Sequence, residues 1–163
     1  MMVKESRELE KVLESLLAYP AMRFLLFAEE WGSLEKTLFD YCRKREYEIQ
    51  LYTLDEETHF PKVDAPLLRR REYNTLQKRY NLHGRLYDHL FVTGKIPDAE
   101  AFPKKVHSAI VNAGRAYILL DEEKDYEKWA EWMSDGNYVS IGRIDLSERL
   151  FLISGKKMHG WGG

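Results

Sequence analysis

Short clusters of chemistry-bearing residues follow apolar runs at several points of the 163-residue chain: Glu29-Glu30-Trp31-Gly32, Asp55-Glu56-Glu57, Thr93-Gly94-Lys95 and Asp121-Glu122-Glu123. Asp55 offers the most defined chemistry, because one carboxylate accepts two hydroxyl donors at once and so suits a diol. Asp is also a common loop residue after a strand. Glu29 and Glu30 can orient a polar ligand, or more simply stabilise the start of the next helix through its dipole. Asp88 opens its apolar run and reads as a structural cap or a partner for Arg85.

Other chemistries find little support. The five histidines (His59, His83, His89, His107 and His159) include no pair four apart and no His-Glu-x-x-His, so no metal site is expected. His59 titrates near neutral pH and is a candidate general base in the loop after Asp55, with an exposed loop histidine as the simpler reading. Cys42 is alone, which excludes an internal disulfide or a cysteine-cluster metal site, and it lies on an apolar helix face. No Gly-x-Ser-x-Gly elbow or P-loop is present.

Apolar residues make up 44% of the chain, enough for a core in one domain of this size. The net charge of −2 conceals two opposed segments. Residues 62–85 hold seven basic side chains against two acids, and residues 121–135 hold seven acids against two lysines. Arg69, Arg70, Arg71, Lys78 and Arg79, with Tyr73 and Tyr80 among them, form a candidate surface for an acidic partner or RNA. The acidic segment offers a complementary surface for a homo-oligomer. No apolar run is long enough to span a membrane, and MMVKESRELEK has no signal core; the expectation is a cytoplasmic chain.

These groups need elements to position them. Leu9, Val12, Leu13, Leu16 and Leu17 predict a helix that Pro20 ends. Residues 23–28 form a continuous apolar run, as expected of a strand buried on both faces. Ser33 is placed as the N-cap of a helix carrying Leu34, Thr37, Leu38, Tyr41 and Cys42. Residues 47–54 read as a second strand. A basic helix is expected over 67–80, with no clear strand between Asp55 and Tyr87. Residues 87–93 read as a strand, and Phe102, Val106, Ile110 and Ala113 as a helix stopped by Gly114. A strand at 116–120 and a helix bearing Tyr126, Trp129, Ala130 and Met133 follow. Runs 138–145 and 149–154, joined by Leu146, Ser147 and Glu148, form a hairpin. The alternation implies a three-layer, Rossmann-like α/β domain with a mostly parallel sheet and a C-terminal antiparallel hairpin. Residues 1–19 supply a helix packing on the sheet, 20–157 the core, and 158–163 a mobile tail. In such sheets ligands bind outside the carboxyl ends of the strands.

The order of elements resembles the class I methyltransferases that use S-adenosylmethionine. Tyr-Asp-His-Leu-Phe-Val-Thr-Gly (87–94) is similar to the family's fourth strand, residues 106–120 to its following helix, turn and fifth strand, and the closing hairpin to its sixth and seventh strands. The resemblance implies S-adenosylmethionine as cofactor and no metal, since Thr93 stands where the catechol-type branch has a metal-binding Asp. It implies that Asp55, 23 residues after Gly32, holds the ribose, that Glu29 and Gly32 line the cofactor loop, and that Thr93, Gly94 and Lys95 face the reacting end. The family's Gly-x-Gly-x-Gly is reduced to Gly32, with Trp31 where space is normally needed. The functional expectation is a methyltransferase-like protein with a degenerate glycine loop and an unidentified methyl acceptor. The alternative is a non-catalytic protein- or RNA-interaction domain on the same scaffold.

Overall fold

The computed structural model describes residues 3–55, 68–76 and 86–158; for residues 3 and 68–70 it describes the backbone alone. The elements run α1 (Val3–Glu14), β1 (Arg23–Ala28), α2 (Ser33–Lys44), β2 (Glu48–Thr53), β3 (Leu68–Glu72), β4 (Tyr87–Val92), α3 (Phe102–His107), β5 (Ile110–Leu120), α4 (Glu123–Asp135), β6 (Tyr138–Asp145) and β7 (Phe151–Lys157). The seven strands form one sheet in the order β3-β2-β1-β4-β5-β7-β6. Strands β1 to β5 pair in parallel; β7 is antiparallel to both β5 and β6. This is the expected three-layer α/β architecture.

The run Phe24–Ala28 explains the centre of the sheet. Its residues are buried on both faces, as a parallel strand flanked by two others requires. Phe24, Leu26 and Ala28 join the core under α1 and α2, while Leu25 and Phe27 join the core under α3 and α4. Leu9 and Leu13 of α1, and Leu34, Leu38 and Cys42 of α2, complete the first core; Trp129 and Met133 of α4 close the second. Burial pushes the Cys42 thiol well above its usual range, so it stays protonated and packs as a small apolar group.

Several expectations are corrected. The main one is the third strand. The basic segment is not a helix at 68–72: it is edge strand β3, with Ile49 paired to Leu68 and Thr53 to Glu72. Lys78 and Arg79 lie outside the described residues, as do His59, His83 and His159. Helix α1 ends at Glu14, six residues before Pro20, and Leu17 is exposed. Helix α3 stops at His107, and Ile110, Ala113 and Gly114 belong to β5. There Asp88 on β4 faces the four residues 111–114, because Tyr87 pairs with Ile110 but His89 with Arg115. Ala113 takes a left-handed φ of 68° in this bulge. A Cβ on Gly114 would stand 2.9 Å from the Asp88 carbonyl oxygen. Strand β7 continues through Gly155, Lys156 and Lys157, three residues past the expected end, because they pair with β5 and β6.

Asp88 is structural: its two oxygens accept hydrogen bonds from the Tyr19 hydroxyl (2.6 Å) and the Arg23 amide (2.8 Å), tying the entry of β1 to β4. Arg85, its expected partner, lies outside the described residues. Beside Asp88, burial holds the His89 imidazole down to about 4; Asp88 opposes this shift and Arg115 adds to it. Between pH 6.5 and about 4 the unfolded chain therefore binds a proton that the folded chain does not, and stability is lost as pH falls through that window. The urea midpoint is expected to drop between about pH 7 and about pH 4.5, and His89→Gln to drop less steeply; equal slopes would remove His89 as the cause.

Candidate functional site

The carboxyl ends of β1, β2 and β4 lie side by side. Phe27 pairs with Tyr52 on one side and Val92 on the other. Helix α2 leaves β1 toward one face of the sheet, and the segment after β4 leads to α3 on the other, so the chain parts above β1 and β4. This topological switch brings Glu29, Gly32, Thr93 and Gly94 together. Asp55 follows β2 next to them, exposed.

The fit between the two loops is close. The Thr93 amide donates to the Phe27 carbonyl (2.9 Å), and the Leu54 amide to the Ala28 carbonyl (2.9 Å). The Lys95 amide donates to Glu29 Oε1 (3.2 Å), so one Glu29 oxygen ties its own loop to the one after β4. Gly94 is buried, and a Cβ there would stand 2.7 Å from Leu54 Cδ1 and 2.9 Å from the Glu29 amide nitrogen. Only glycine permits this approach.

Helix α2 starts differently from expectation. Ser33 is its first residue and Gly32 its cap. The Gly32 amide donates to Glu35 Oε1 at 2.8 Å, the return half of a capping box. Glu35 is 3% exposed. Burial raises its carboxyl above the ordinary range; the Thr93 hydroxyl and the Gly32 amide oppose the shift, although Thr93 makes no well-aligned hydrogen bond. The sequence carried a signal for this residue, glutamate three positions after the cap. Trp31 packs edge-on against Phe39 (centroids 5.8 Å apart) as part of the α1–α2 side of the molecule.

A second polar group was not foreseen. The Lys105 ammonium, 5% exposed, is bound by Asp98 and donates to the Thr75 carbonyl (3.1 Å) and the Tyr73 hydroxyl (3.3 Å). The Tyr73 hydroxyl donates to Asp98 Oδ1 at 2.5 Å. Burial alone would raise Asp98, but the Lys105 ammonium and the Tyr73 hydroxyl more than offset it and hold the carboxyl below its usual range. This group fastens the segment after β3 to α3. No spacing in the sequence marks it, because the three residues come from three separate segments. Beyond Gly94, a cavity of about 210 Å³ opens at the carboxyl ends of β4 and β5, lined by Ile96, Leu120, Asp121, Trp129 and Trp132.

Comparison with solved structures gives the same architecture. An S-adenosylmethionine-dependent O-methyltransferase from Thermotoga maritima superposes with a TM-score of 0.69 at 14% identity, over 99% of this chain and 67% of that one. The precorrin-6y C5,15-methyltransferase from Geobacter metallireducens superposes at 0.63 and 14% identity, over 91% and 87%. A methyltransferase from Pyrococcus furiosus superposes at 0.58 and 14% identity, over 96% and 83%. The chain has the class I methyltransferase fold. No family model matches the sequence, and no curated protein matches it.

Gly94→Ala tests the approach of the two loops. It is expected to cost about 1–3 kcal/mol, because Leu54 must repack and the Glu29 backbone can yield only if the loops separate. Urea denaturation measures this, and an unchanged midpoint would show the packing to be loose. Lys105→Met is expected to loosen the residue 73–75 segment toward limited proteolysis, since it removes the cation shared by Asp98, the Tyr73 hydroxyl and the Thr75 carbonyl and leaves the Asp98 charge with the Tyr73 hydroxyl alone among these.

Proposed function

We propose that this protein is an S-adenosylmethionine-dependent methyltransferase-like protein that binds its cofactor at the carboxyl ends of β1, β2 and β4. One observation carries the reading: Glu29, Asp55 and Thr93 follow the carboxyl ends of three adjacent strands, β1, β2 and β4, at the switch point of a sheet with the methyltransferase strand order.

The donor and acceptor set can be tested against this cofactor. Asp55 is an exposed carboxylate that accepts the two ribose hydroxyls. Glu30 and the second oxygen of Glu29 supply negative charge, which fits an ammonium and a sulfonium. Thr93 Oγ1 is buried without an aligned partner, next to Gly94. Gly32 departs from the family's pattern: its amide, at the start of α2, is already taken by Glu35. The residues therefore fit the diol and the cationic groups and leave the cofactor's carboxylate to another donor.

Bound there, the cofactor would supply an electrophilic methyl for in-line transfer to a nucleophile. The chain's own part is positional: Asp55 fixes the sugar, the Glu29–Lys95 tie fixes the spacing of the loops, and Gly94 keeps the floor low at the reacting end. The acceptor would enter over the cavity beside Gly94, against Trp129 and Trp132.

The sealed Gly32 amide and the closed loop contact favour a second reading, a scaffold that has lost the cofactor and acts through its surfaces. The basic edge at Arg69, Arg70 and Arg71 would then meet an acidic protein or RNA, with affinity falling steeply as salt rises.

Isothermal titration separates the two. The first reading expects saturable heat with S-adenosylmethionine and S-adenosylhomocysteine, and a loss of about tenfold or more in Asp55→Ala, because two hydrogen bonds to a charged acceptor are removed. No heat at about millimolar ligand would overturn it in favour of the second.

A further inference from the structure

The face of the sheet under α1 and α2 is covered unevenly. Over β1 and β2 it is sealed by Leu9, Leu13, Leu34 and Leu38. Over the amino-terminal parts of β4 and β5, and over β7, the second half of α1 stands off and leaves a cavity of about 700 Å³. That volume lies within the usual range for a small-molecule site. The cavity is at the opposite end of the strands from the crevice, and nothing in the proposed methyltransferase reading uses it.

The cavity floor departs from what a helix-covered sheet would carry. Leu26, Leu51, Phe91 and Leu152 fill this face elsewhere. Here the side chains are His89 with its cross-strand partner Arg115, and Tyr117 with its partner Ser154. The bulge at 111–114 forms one end of the floor. Val12, Leu16 and Ile144 make an apolar wall, and Leu17, 83% exposed, stands at the rim.

The charges decide what such a cavity would accept. The Glu8 carboxylate is taken by Lys11 at 3.0 Å. Both oxygens of Asp88 are taken, one by the Tyr19 hydroxyl and one by the Arg23 amide. Arg115 has no hydrogen-bond or ion-pair partner among the described residues. His89 is 9% exposed, and its Nδ1 is buried with no partner among them. Burial keeps the ring neutral at physiological pH, so it has one N–H to donate. Among the described residues neither the half-buried Arg115 nor the buried His89 Nδ1 has a partner, and the two residues are adjacent across β4 and β5; such groups are costly to leave unpaired.

We propose that this cavity binds a small amphipathic anion, a carboxylate on an apolar body. Arg115 takes the carboxylate through its planar fork and His89 donates a further hydrogen bond. The apolar body lies along Val12, Leu16 and Ile144.

Octanoate and its uncharged counterpart octanamide serve as probes, by calorimetry and by the side-chain NMR signals of arginine and histidine. Octanoate is expected to bind one to one, about tenfold or more tighter than octanamide, and to shift the Arg115 Nε and His89 ring signals. Arg115→Met is expected to weaken octanoate by about tenfold or more and leave octanamide unchanged, with an unaltered circular dichroism spectrum. Arg115→Lys, which keeps the charge, is expected to recover part of the affinity and covers the case in which the methionine variant fails to fold. S-adenosylmethionine is expected not to compete, which separates this site from the crevice whichever reading of the crevice holds. The proposal is overturned by an absence of saturable binding at about 10 mM octanoate, by equal affinity for the amide, or by full affinity in Arg115→Met. It is equally overturned if sedimentation shows a dimer that Arg115→Met dissociates, since the face would then belong to a protein interface.

Discussion

A strand with parallel neighbours on both sides presents two apolar faces to be covered, and this demand on β1 organises the molecule. Its residues 24–28 alternate between two cores, and each core needs its own layer of helices. Helices α1 and α2 answer for one face, α3 and α4 for the other. The aromatic rings follow the same division. Phe24, Phe91 and Tyr117 stack across β1, β4 and β5 with centroids 6.1 and 4.5 Å apart, while Phe27 meets Tyr52 and Phe102 on the opposite side. Where a helix does not reach, over β5 and β7, the face turns polar.

The crevice is a by-product of this two-sided cover. Because the chain leaves β1 toward one face and β4 toward the other, the two loops diverge and the ends of the strands are left accessible. What differs from an open nucleotide site is how the gap is furnished. Backbone amides that would otherwise face a ligand are satisfied by this chain's own carboxylates, Gly32 by Glu35 and Lys95 by Glu29. The exposed carboxylates there, Glu29, Glu30 and Asp55, outnumber Lys95, the one exposed cation among the described residues of these loops, which favours a cation or a diol over an anion.

Most of the core was legible in the sequence because burial on both faces leaves a plain record. Residues 23–28 were placed to the residue for that reason; 138–145, an edge strand, was placed as a β-rich run beside the run 149–154, and the faces of α2 and α4 follow helical spacing. The third strand was not legible for a physical reason. Leu-Arg-Arg-Arg-Glu has neither an apolar run nor an apolar–polar alternation, and it holds its place through the ladder to β2, which composition does not show. Arginine is a good helix former, so the same residues suggested a helix. Ile110 and Ala113 extended a helical stripe by coincidence, since a bulged strand breaks the period of two. The site was half legible. Its loops follow from topology, and Asp55 and Thr93 fall where topology puts them. The Lys105–Asp98–Tyr73 group was invisible because Tyr73 is 25 residues from Asp98 and each member looks like a surface residue alone.

The insertion of β7 between β5 and β6 bears on how the chain acquires its structure. Strand β6 precedes β7 in sequence, yet its described ladder is to β7 alone, and β7 is also what closes the open side of β5. While a chain is being made, β1 to β5 can form their parallel ladder, but β6 has nowhere to dock and β5 keeps a bare edge. Completion waits for residues 151–157, which satisfy both strands in one step. Until then an incomplete chain exposes two unpaired edges, the condition under which sheets recruit strands from other molecules. The last strand is thus a clasp, and the sheet is vulnerable for as long as it is missing.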